Sequence, residues 1–277
     1  MIEVNKELVY KEAIKRIDKV FSLPETCAVK IKDIVIEKRY NQEHIYKLIQ
    51  NAVDMSYHDV LSDIDMTVVV QFSTKEVMKP NQYMKLIDRY GITRDNYLGL
   101  AFIPENKLCR IILQNGMRYD LGFEFIYDED ADNILTTASI NSDIDNEIWP
   151  AAKIDEFWFI QIQALAKLYR NDFLVSDHLA NMCINETLVQ QMVLRDIKYG
   201  ANFHRYGYQE KLEYMQVNKT KCPYKKENPF FNTIAAKLYS TSIAYDKLTL
   251  KFYPLMEARK EVFWAIWDCY AAALLEK

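Results

Sequence analysis

Apolar residues recur at helical spacing near the start of the chain. In residues 6–21, Leu8, Ala13, Ile17 and Phe21 fall close to one face of a helix. Because this spacing separates apolar from charged side chains, it predicts an amphipathic helix that packs on a core.

The pattern then changes from helical to extended. Residues 28–53 contain short apolar stretches that fit either strands or a helix. Met66–Phe72 is β-branched and apolar, as buried strands are. A helical stretch around Gln82–Tyr90 stops at Gly91. The N-terminal region is therefore predicted to mix strands and helices.

Three further β-like runs follow, at Tyr97–Ile103, Leu108–Leu113 and Arg118–Tyr127. Turn-forming residues separate them at Pro104–Asn106 and at Asn115-Gly116. This chemistry is typical of tight turns between strands, so each run is predicted to be a separate strand.

A polar segment separates this region from the rest of the chain. Residues 128–150 are punctuated by Asp, Asn and Ser and end at Pro150. A chain of 277 residues is long enough for two domains. The predicted domains are therefore 1–150 and 151–277.

The second domain is predicted to be helical. Residues 153–180 are apolar almost all round, which indicates a buried helix rather than one on the surface. Further helices are predicted at 186–199, 230–246 and 255–275. The predicted fold class is α+β, with an α+β N-terminal domain followed by a helical C-terminal domain.

Composition and charge narrow the class of protein. The formal net charge is −4 and the basic runs are short, so nucleic acid is not the expected partner. The five cysteines never show C-x-x-C spacing, which favours reduced thiols over disulfides or a zinc site. The chain starts without a basic and apolar leader, and no apolar run approaches the roughly 18 residues of a membrane span. We therefore expect a cytoplasmic protein without a membrane partner.

Two aspartates stand where the first clear strand begins. The segment Ser62-Asp63-Ile64-Asp65-Met66 runs directly into the Val-rich stretch. Because side chains alternate along a strand, Asp63 and Asp65 are predicted to point to the same face. Neighbouring carboxylates repel one another unless a cation lies between them, and their oxygens are ligands that suit Mg²⁺.

A later β run offers a third carboxylate. Asp120 lies among apolar and aromatic neighbours in Arg118–Phe125, where an unpaired ionised acid would be costly. A neighbouring metal ion would offset that cost. Three such carboxylates fit phosphoryl or nucleotidyl transfer, in which metal ions bridge phosphate oxygens.

These acidic residues resemble the nucleotidyltransferase superfamily related to DNA polymerase beta. That superfamily carries Gly-Ser, a short spacer, an Asp-x-Asp pair and a later lone Asp, and Asp63, Asp65 and Asp120 fall on its acidic positions. Within it, the chain is most similar to the streptomycin-type aminoglycoside 6-adenylyltransferases, whose third Asp ends a hairpin as in Arg118-Tyr119-Asp120-Leu121. The resemblance implies a mixed β-sheet flanked by helices, with Asp63, Asp65 and Asp120 as Mg²⁺ ligands.

The helical domain carries further short matches to that family. An opening Glu-Phe-Trp is matched by Glu156-Phe157-Trp158, and a later Ala-Lys stretch by Ala166–Asp172. The Asp-His-Leu that comes next is matched by Asp177-His178-Leu179. Asp172 stands where the family has its Glu general base, so the resemblance implies that Asp172 accepts a proton. It also implies that Lys167 contacts the triphosphate; a surface lysine is the alternative.

The phosphate-binding pair differs from the family pattern. The best counterpart of Gly-Ser is Met55-Ser56, in which Ser56 lies seven positions before Asp63. Ser56 and Ser62 are the candidate phosphate-binding hydroxyls. A Met at the Gly position limits how closely the backbone can approach a phosphate, which favours the alternative of a relative that has lost catalysis.

The chain contains its own comparison for the acidic motif. Ser142–Asp145 repeats the letters of Ser62–Asp65, but no strand follows it, so we interpret that copy as a loop or helix cap. For the first copy, an Asx-type turn is the structural alternative to a functional site. The strand that follows this copy and the later carboxylate Asp120 favour a functional site instead. Glu124 is interpreted as a solvent or outer group, and His178 as structural because no nucleophile is near it in sequence.

Together with its acidic residues, the resemblance implies Mg²⁺-dependent transfer of a nucleoside monophosphate to a hydroxyl of a small, cationic, aminoglycoside-like acceptor. ATP or another nucleoside triphosphate is the expected co-substrate, and antibiotic resistance is the expected biological outcome. Two alternatives stay open. One is nucleotidyl transfer to a protein in a toxin–antitoxin pair, and the other is a catalytically impaired sensor of a nucleotide or another ligand.

Overall fold

The computed structural model describes residues 6–56, 61–72, 87–93, 95–103, 108–127, 151–200 and 210–274. The chain divides into two compact units, residues 1–143 and residues 144–277. We call them the N-terminal unit and the C-terminal unit. The predicted boundary at Pro150 and the second Ser-Asp-Ile-Asp copy at 142–145 lie outside the described residues.

The described part of the N-terminal unit combines helices with a six-stranded sheet. Its elements are α1 (Lys6–Phe21), β1 (Thr26–Ile31), β2 (Ile34–Glu37), α2 (Gln42–Ser56), β3 (Asp63–Phe72), β4 (Tyr97–Ile103), β5 (Leu108–Leu113) and β6 (Arg118–Tyr127). The ambiguous stretch 28–53 thus contains a hairpin followed by a helix. Of the helix predicted around Gln82–Tyr90, residues 87–90 are described, and 87–89 are helical.

The sheet is mixed, with strand order β2-β1-β3-β6-β5-β4. β3 and β6 run parallel, while the other neighbouring pairs are antiparallel. β4, β5 and β6 follow one another as a meander, which returns the chain so that β6 lies beside β3. The predicted α+β class, with a mixed sheet flanked by helices, is confirmed.

One face of this sheet carries the core of the N-terminal unit. Ile17 of α1 and Ile49 of α2 are fully buried there, together with Val29 of β1 and Val68 of β3. Because side chains alternate along each strand, the residues between these apolar positions project from the opposite face. The acidic motif lies on that opposite face.

The described part of the C-terminal unit is helical, as predicted. Its helices are α3 (Ala151–Tyr169), α4 (Phe173–Tyr199), α5 (Glu213–Gln216), α6 (Pro229–Phe252) and α7 (Lys260–Leu274), with a 3-10 turn at Lys219–Lys221. No helix in the described ranges is long and apolar enough to cross a bilayer.

The prediction of one continuous helix over 153–180 is wrong, because the chain turns between α3 and α4. Asn171 has a left-handed backbone with φ of 61°, and Asp172 caps the start of α4. A left-handed residue cannot continue a right-handed helix, and Asn tolerates that conformation better than most residues. The apolar stretch therefore folds as two packed helices.

Aromatic rings and buried amides hold these helices together. Phe157 stacks on Tyr245 with ring centroids 3.5 Å apart, and Trp267 Nε1 donates to Tyr169 Oη at 3.1 Å. Gln161 Nε2 donates to Thr241 Oγ1 at 2.7 Å inside the core. Such bonds satisfy polar atoms that would be costly to bury alone.

Candidate functional site

Asp63 and Asp65 lie at the start of β3, on the face opposite to the helices α1 and α2. Ile64 and Met66 alternate with them and are almost completely buried in the core. Asp63 has 35% of its side chain exposed, and Asp65 is exposed. The alternation that the sequence predicts therefore places two carboxylates side by side on an accessible face.

β6 brings Asp120 next to this pair. In the parallel register of β3 and β6, Asp65 is the partner of Asp120, and Asp63 is the partner of Arg118. Register partners on neighbouring strands point to the same face, and the strands lie about 4.8 Å apart. Asp63, Asp65 and Asp120 consequently share one face at the starting ends of two adjacent strands.

Asp120 forms a two-point ion pair with Arg110 of β5. Nε of Arg110 lies 3.1 and 3.0 Å from the two carboxylate oxygens, and Nη2 lies 2.9 Å from one of them. The antiparallel register of β5 and β6 sets these residues opposite each other. Arginine therefore offsets the cost of burying Asp120, a role that the sequence analysis gave to a metal ion. Sequence analysis missed Arg110, although a lone charge in the apolar run Leu108–Leu113 is a signal for it.

Asp63 has an arginine partner of its own. Arg118 Nη2 lies 3.2 Å from Asp63 Oδ2, while Nη1 donates to the carbonyl oxygen of Leu61 at 2.8 Å. Only 8% of the Arg118 side chain is exposed. Arg118 thus ties the turn before β3 to the first residue of that strand.

Asp65 has no such arginine partner among the described residues. Although Asp65 is exposed, partial desolvation of its carboxyl raises its pKa above the ordinary value, and the carboxylates of Asp63 and Asp120 raise that pKa further. The positive charges of Lys32 and Arg110 act in the opposite direction. Asp65 is the site's most exposed carboxylate and is destabilised by its two acidic neighbours.

Lys32 belongs to the same surroundings through the turn between β1 and β2. Its backbone is left-handed, with φ of 51°, and Nζ donates to the carbonyl oxygen of Met55 at 2.8 Å. Met55 is the second-last residue of α2, where the phosphate-binding pair is predicted. Lys32 therefore places a cation at the end of α2 whose charge also acts on Asp65, and sequence analysis did not find it.

The oxygen ligands on this face of the sheet are of the kind that Mg²⁺ prefers, but the carboxylates of Asp63 and Asp120 contact arginines instead of converging on one point. Three carboxylates supply the hard oxygen ligands that Mg²⁺ prefers. Within the described ranges, however, no three His, Cys, Asp or Glu side chains converge as a metal-binding group. Asp120 faces Arg110 and Asp63 faces Arg118. Two of the three carboxylates are therefore engaged by arginines and are not directed at a shared metal position.

The two predicted phosphate-binding hydroxyls are only partly described. Ser56 is the last residue of α2, and the structure does not describe its side chain or residues 57–60. Ser62 is buried directly before Asp63. Ser62 and the acidic residues therefore belong to one turn and strand.

Lys167 and Asp172 lie together in the C-terminal unit, where α3 ends and α4 begins. Asp172 Oδ1 accepts from the backbone N–H of Val175 at 3.4 Å, and Oδ2 lies 3.5 Å from Lys167 Nζ. Both side chains are partly exposed. Asp172 thus caps a helix, so its presence has a structural explanation beside the proposed catalytic one. His178, on the same helix, is exposed.

Opposite charges are balanced around the candidate site. Asp63, Asp65 and Asp120 face Arg110, Arg118 and Lys32, which lie on three different elements. No protein-family model matches this chain, and no curated protein matches its sequence.

Proposed function

We propose that the protein is a Mg²⁺-dependent nucleotidyltransferase that moves a nucleoside monophosphate, AMP from ATP, to a hydroxyl of a small acceptor. The observation that supports this best is the parallel register of β3 and β6. It sets Asp65 beside Asp120 and keeps Asp63 on the same face. Two neighbouring strands that carry carboxylates on one face are what metal-assisted transfer of a nucleotidyl group needs.

Asp63, Asp65 and Asp120 would hold the metal ion. When bound, Mg²⁺ neutralises charge on the phosphates and orients them. In the proposed reaction, the acceptor oxygen forms a bond to the α-phosphorus as the bond to the bridging oxygen breaks, and pyrophosphate leaves. The acceptor hydroxyl loses a proton, and the resemblance assigns that proton to Asp172.

The class of acceptor rests on the resemblance alone. The three carboxylates are offset by Arg110, Arg118 and Lys32, so a strong negative field that would attract a cation is not a property of this face. We keep a cationic, hydroxylated amine as the proposed acceptor because the matches in the helical domain favour it.

A nucleotide sensor is the second candidate, favoured by the arginine partners of Asp63 and Asp120. Carboxylates that stay paired with arginine would not hold a catalytic metal ion, so a nucleotide bound by other groups of the site would not be transferred. Such a protein would bind a triphosphate but never release pyrophosphate.

The test is pyrophosphate release from each common nucleoside triphosphate, with Mg²⁺ and a panel of hydroxylated amines. We expect one triphosphate and one group of acceptors to support release. The double variant Asp63→Asn with Asp65→Asn should abolish it, whereas Glu124→Gln should retain it. Glu124 is a matched control because it lies on β6, the strand that carries Asp120, projects from the same face of the sheet and is paired with Lys30.

Release that survives in the double variant would remove Asp63 and Asp65 from the site. Binding of a triphosphate without release, for every acceptor tried and for protein acceptors in a cell extract, would favour the sensor.

A further inference from the structure

A cavity of about 150 Å³ lies between α3 and α4 in the C-terminal unit. Among the described residues that line it, none belongs to the candidate site. Phe157 and Ile160 of α3, together with Met182 and Cys183 of α4, form its apolar lining. An apolar cavity of about this volume is large enough to hold benzene, so the space admits an apolar group of about six carbon atoms.

Three charged residues line the same cavity: Lys153 and Glu156 of α3 and Glu186 of α4. Lys153 Nζ lies 3.9 Å from Glu156 Oε2 and 3.6 Å from Glu186 Oε1. Both distances allow an ion pair but are too long for a good hydrogen bond from an ammonium group. One lysine is therefore shared by two carboxylates, and negative charge exceeds positive charge among these three residues.

Glu186 Oε1 is the polar atom of this cavity that lacks a hydrogen bond. The atom is buried, and no group within the described ranges donates to it, although 27% of the Glu186 side chain is exposed. The neighbouring thiol stays neutral, because burial and the Glu186 carboxylate raise the pKa of Cys183. A buried carboxylate oxygen without a donor is destabilising. A ligand that donates to Glu186 Oε1 would remove this cost.

We propose that the cavity binds a small organic ammonium ion, a primary amine on an apolar group of up to about six carbon atoms. The ammonium group donates to Glu186 Oε1, and the apolar group fills the space beside Phe157, Ile160 and Met182. This inference is independent of the proposed function. The ligand needs no hydroxyl, and the linked sugar rings of an aminoglycoside are larger than this cavity.

The charges of the cavity favour an ammonium ion over other ligands. An anion would meet two carboxylates and would gain only Lys153, whose side chain is 49% exposed and therefore well hydrated. A neutral ligand of the same shape would fill the apolar space but would form a weaker hydrogen bond to Glu186. A hydrated metal ion would leave the apolar lining without a contact.

Calorimetry on the full chain tests the site with four probes: benzylamine, benzyl alcohol, methylamine and benzoate. Benzylamine has no hydroxyl, so it cannot act as an acceptor in the proposed transfer. We expect benzylamine to bind, and benzyl alcohol and methylamine to bind about tenfold more weakly or less, since the first lacks the charge and the second lacks the apolar group. Benzoate should not bind. No binding of benzylamine, or equal binding of benzylamine and benzoate, would overturn the inference.

Two substitutions should change the preference for benzylamine over benzyl alcohol in opposite directions. Glu186→Gln should lower this ratio of affinities about tenfold, because the charged acceptor is lost. Lys153→Met should raise it about two- to fivefold, because the competing ion pair is lost. Glu210→Gln is the matched control: Glu210 also pairs with a lysine and has a similar exposure of 33%, but it lies outside the cavity. Its ratio should equal that of the wild type.

A ratio that stays at the wild-type value in Glu186→Gln, or that falls in Lys153→Met, would refute the amine site. Circular dichroism and thermal unfolding report whether each variant folds. If Glu186→Gln does not fold, Glu186→Asp replaces it and should also lower the ratio, since the carboxylate is withdrawn by one methylene; an unchanged ratio in that variant would refute the site as well.

The amine site and the proposed function fail separately. Asp63→Asn with Asp65→Asn should abolish pyrophosphate release and leave the affinity for benzylamine unchanged. Loss of benzylamine binding in this double variant would place the amine beside the acidic strands and refute a site between α3 and α4. A wild-type protein that binds benzylamine but never releases pyrophosphate keeps the amine site and refutes nucleotidyl transfer.

Discussion

Asp172 has two explanations, and a pair of substitutions separates them. The residue caps α4 through the N–H of Val175, whereas the resemblance makes it the base that accepts the acceptor's proton. Asn is as good a capping residue as Asp but cannot accept that proton. Asp172→Asn therefore removes the base and keeps the cap, while Asp172→Ala removes both.

The expected effect on stability follows from the two contacts of Asp172. Loss of a cap costs about 0.5–2 kcal/mol, and the 3.4 Å distance to Val175 N places this one toward the low end. The ion pair with Lys167 is long at 3.5 Å and partly exposed, so it contributes about 0–1 kcal/mol. Asp172→Ala should then lower the free energy of unfolding by about 1 kcal/mol, a Tm shift of about 3 °C for a unit of this size. Asp172→Asn should lower it by about 0.5 kcal/mol or less, since only the ion pair is lost.

The expected effect on turnover is the same for both variants. Loss of a positioned base reduces the rate by about 10²–10⁴-fold. Pyrophosphate release with a confirmed acceptor measures that rate, while denaturant unfolding measures stability and calorimetry measures triphosphate affinity, which should not change. If Asp172→Asn keeps wild-type turnover, Asp172 is a helix cap only and the family alignment over 166–179 is wrong.

Two further predictions concern the C-terminal unit. Arg259→Met should lower the free energy of unfolding by about 3–5 kcal/mol, because the buried carboxylate of Asp155 would lose Arg259 Nη1, which lies 2.7 Å away. An effect below about 1 kcal/mol in denaturant unfolding would contradict this. Burial raises the pKa of the Asp246 carboxyl above its ordinary value, so the folded protein binds the carboxyl proton more tightly than the unfolded chain does. The stability that this proton binding contributes is fully present below pH 3.8 and is lost as pH rises through the raised pKa. Asp246→Asn should therefore become more stable relative to the wild type as pH rises above 3.8; a relative stability that falls over this range would reverse the sign.

Local sequence patterns predicted most elements of the N-terminal unit. The three runs at 97–103, 108–113 and 118–127 coincide with β4, β5 and β6, because β-branched residues and turn chemistry mark both their interiors and their ends. The helix 6–21 coincides with α1 because its apolar residues recur at helical spacing. Short apolar stretches such as 28–53 could not be resolved, since strands and short helices share that pattern.

What sequence analysis missed depends on contacts between distant residues. The break at Asn171 is an exception, because Asn171-Asp172 is a local signal for a turn and a helix cap, but the apolar residues on both sides of it favoured one helix. The shared face of Asp63 and Asp65 follows from alternation along one strand. The pairing of Asp63 with Arg118, 55 residues apart in the chain, follows instead from the parallel register of β3 and β6, which no local pattern encodes.

The most direct test of nucleotidyl transfer follows the α-phosphate itself. The protein is incubated with Mg²⁺, a hydroxylated amine and a triphosphate labelled at either the α- or the γ-phosphorus, and the acceptor is then separated and counted. Nucleotidyl transfer predicts that the α-label moves to the acceptor and the γ-label leaves in pyrophosphate, and that Asp63→Asn with Asp65→Asn abolishes both. Transfer of the γ-label to the acceptor, or no transfer of either label to any acceptor, would contradict it.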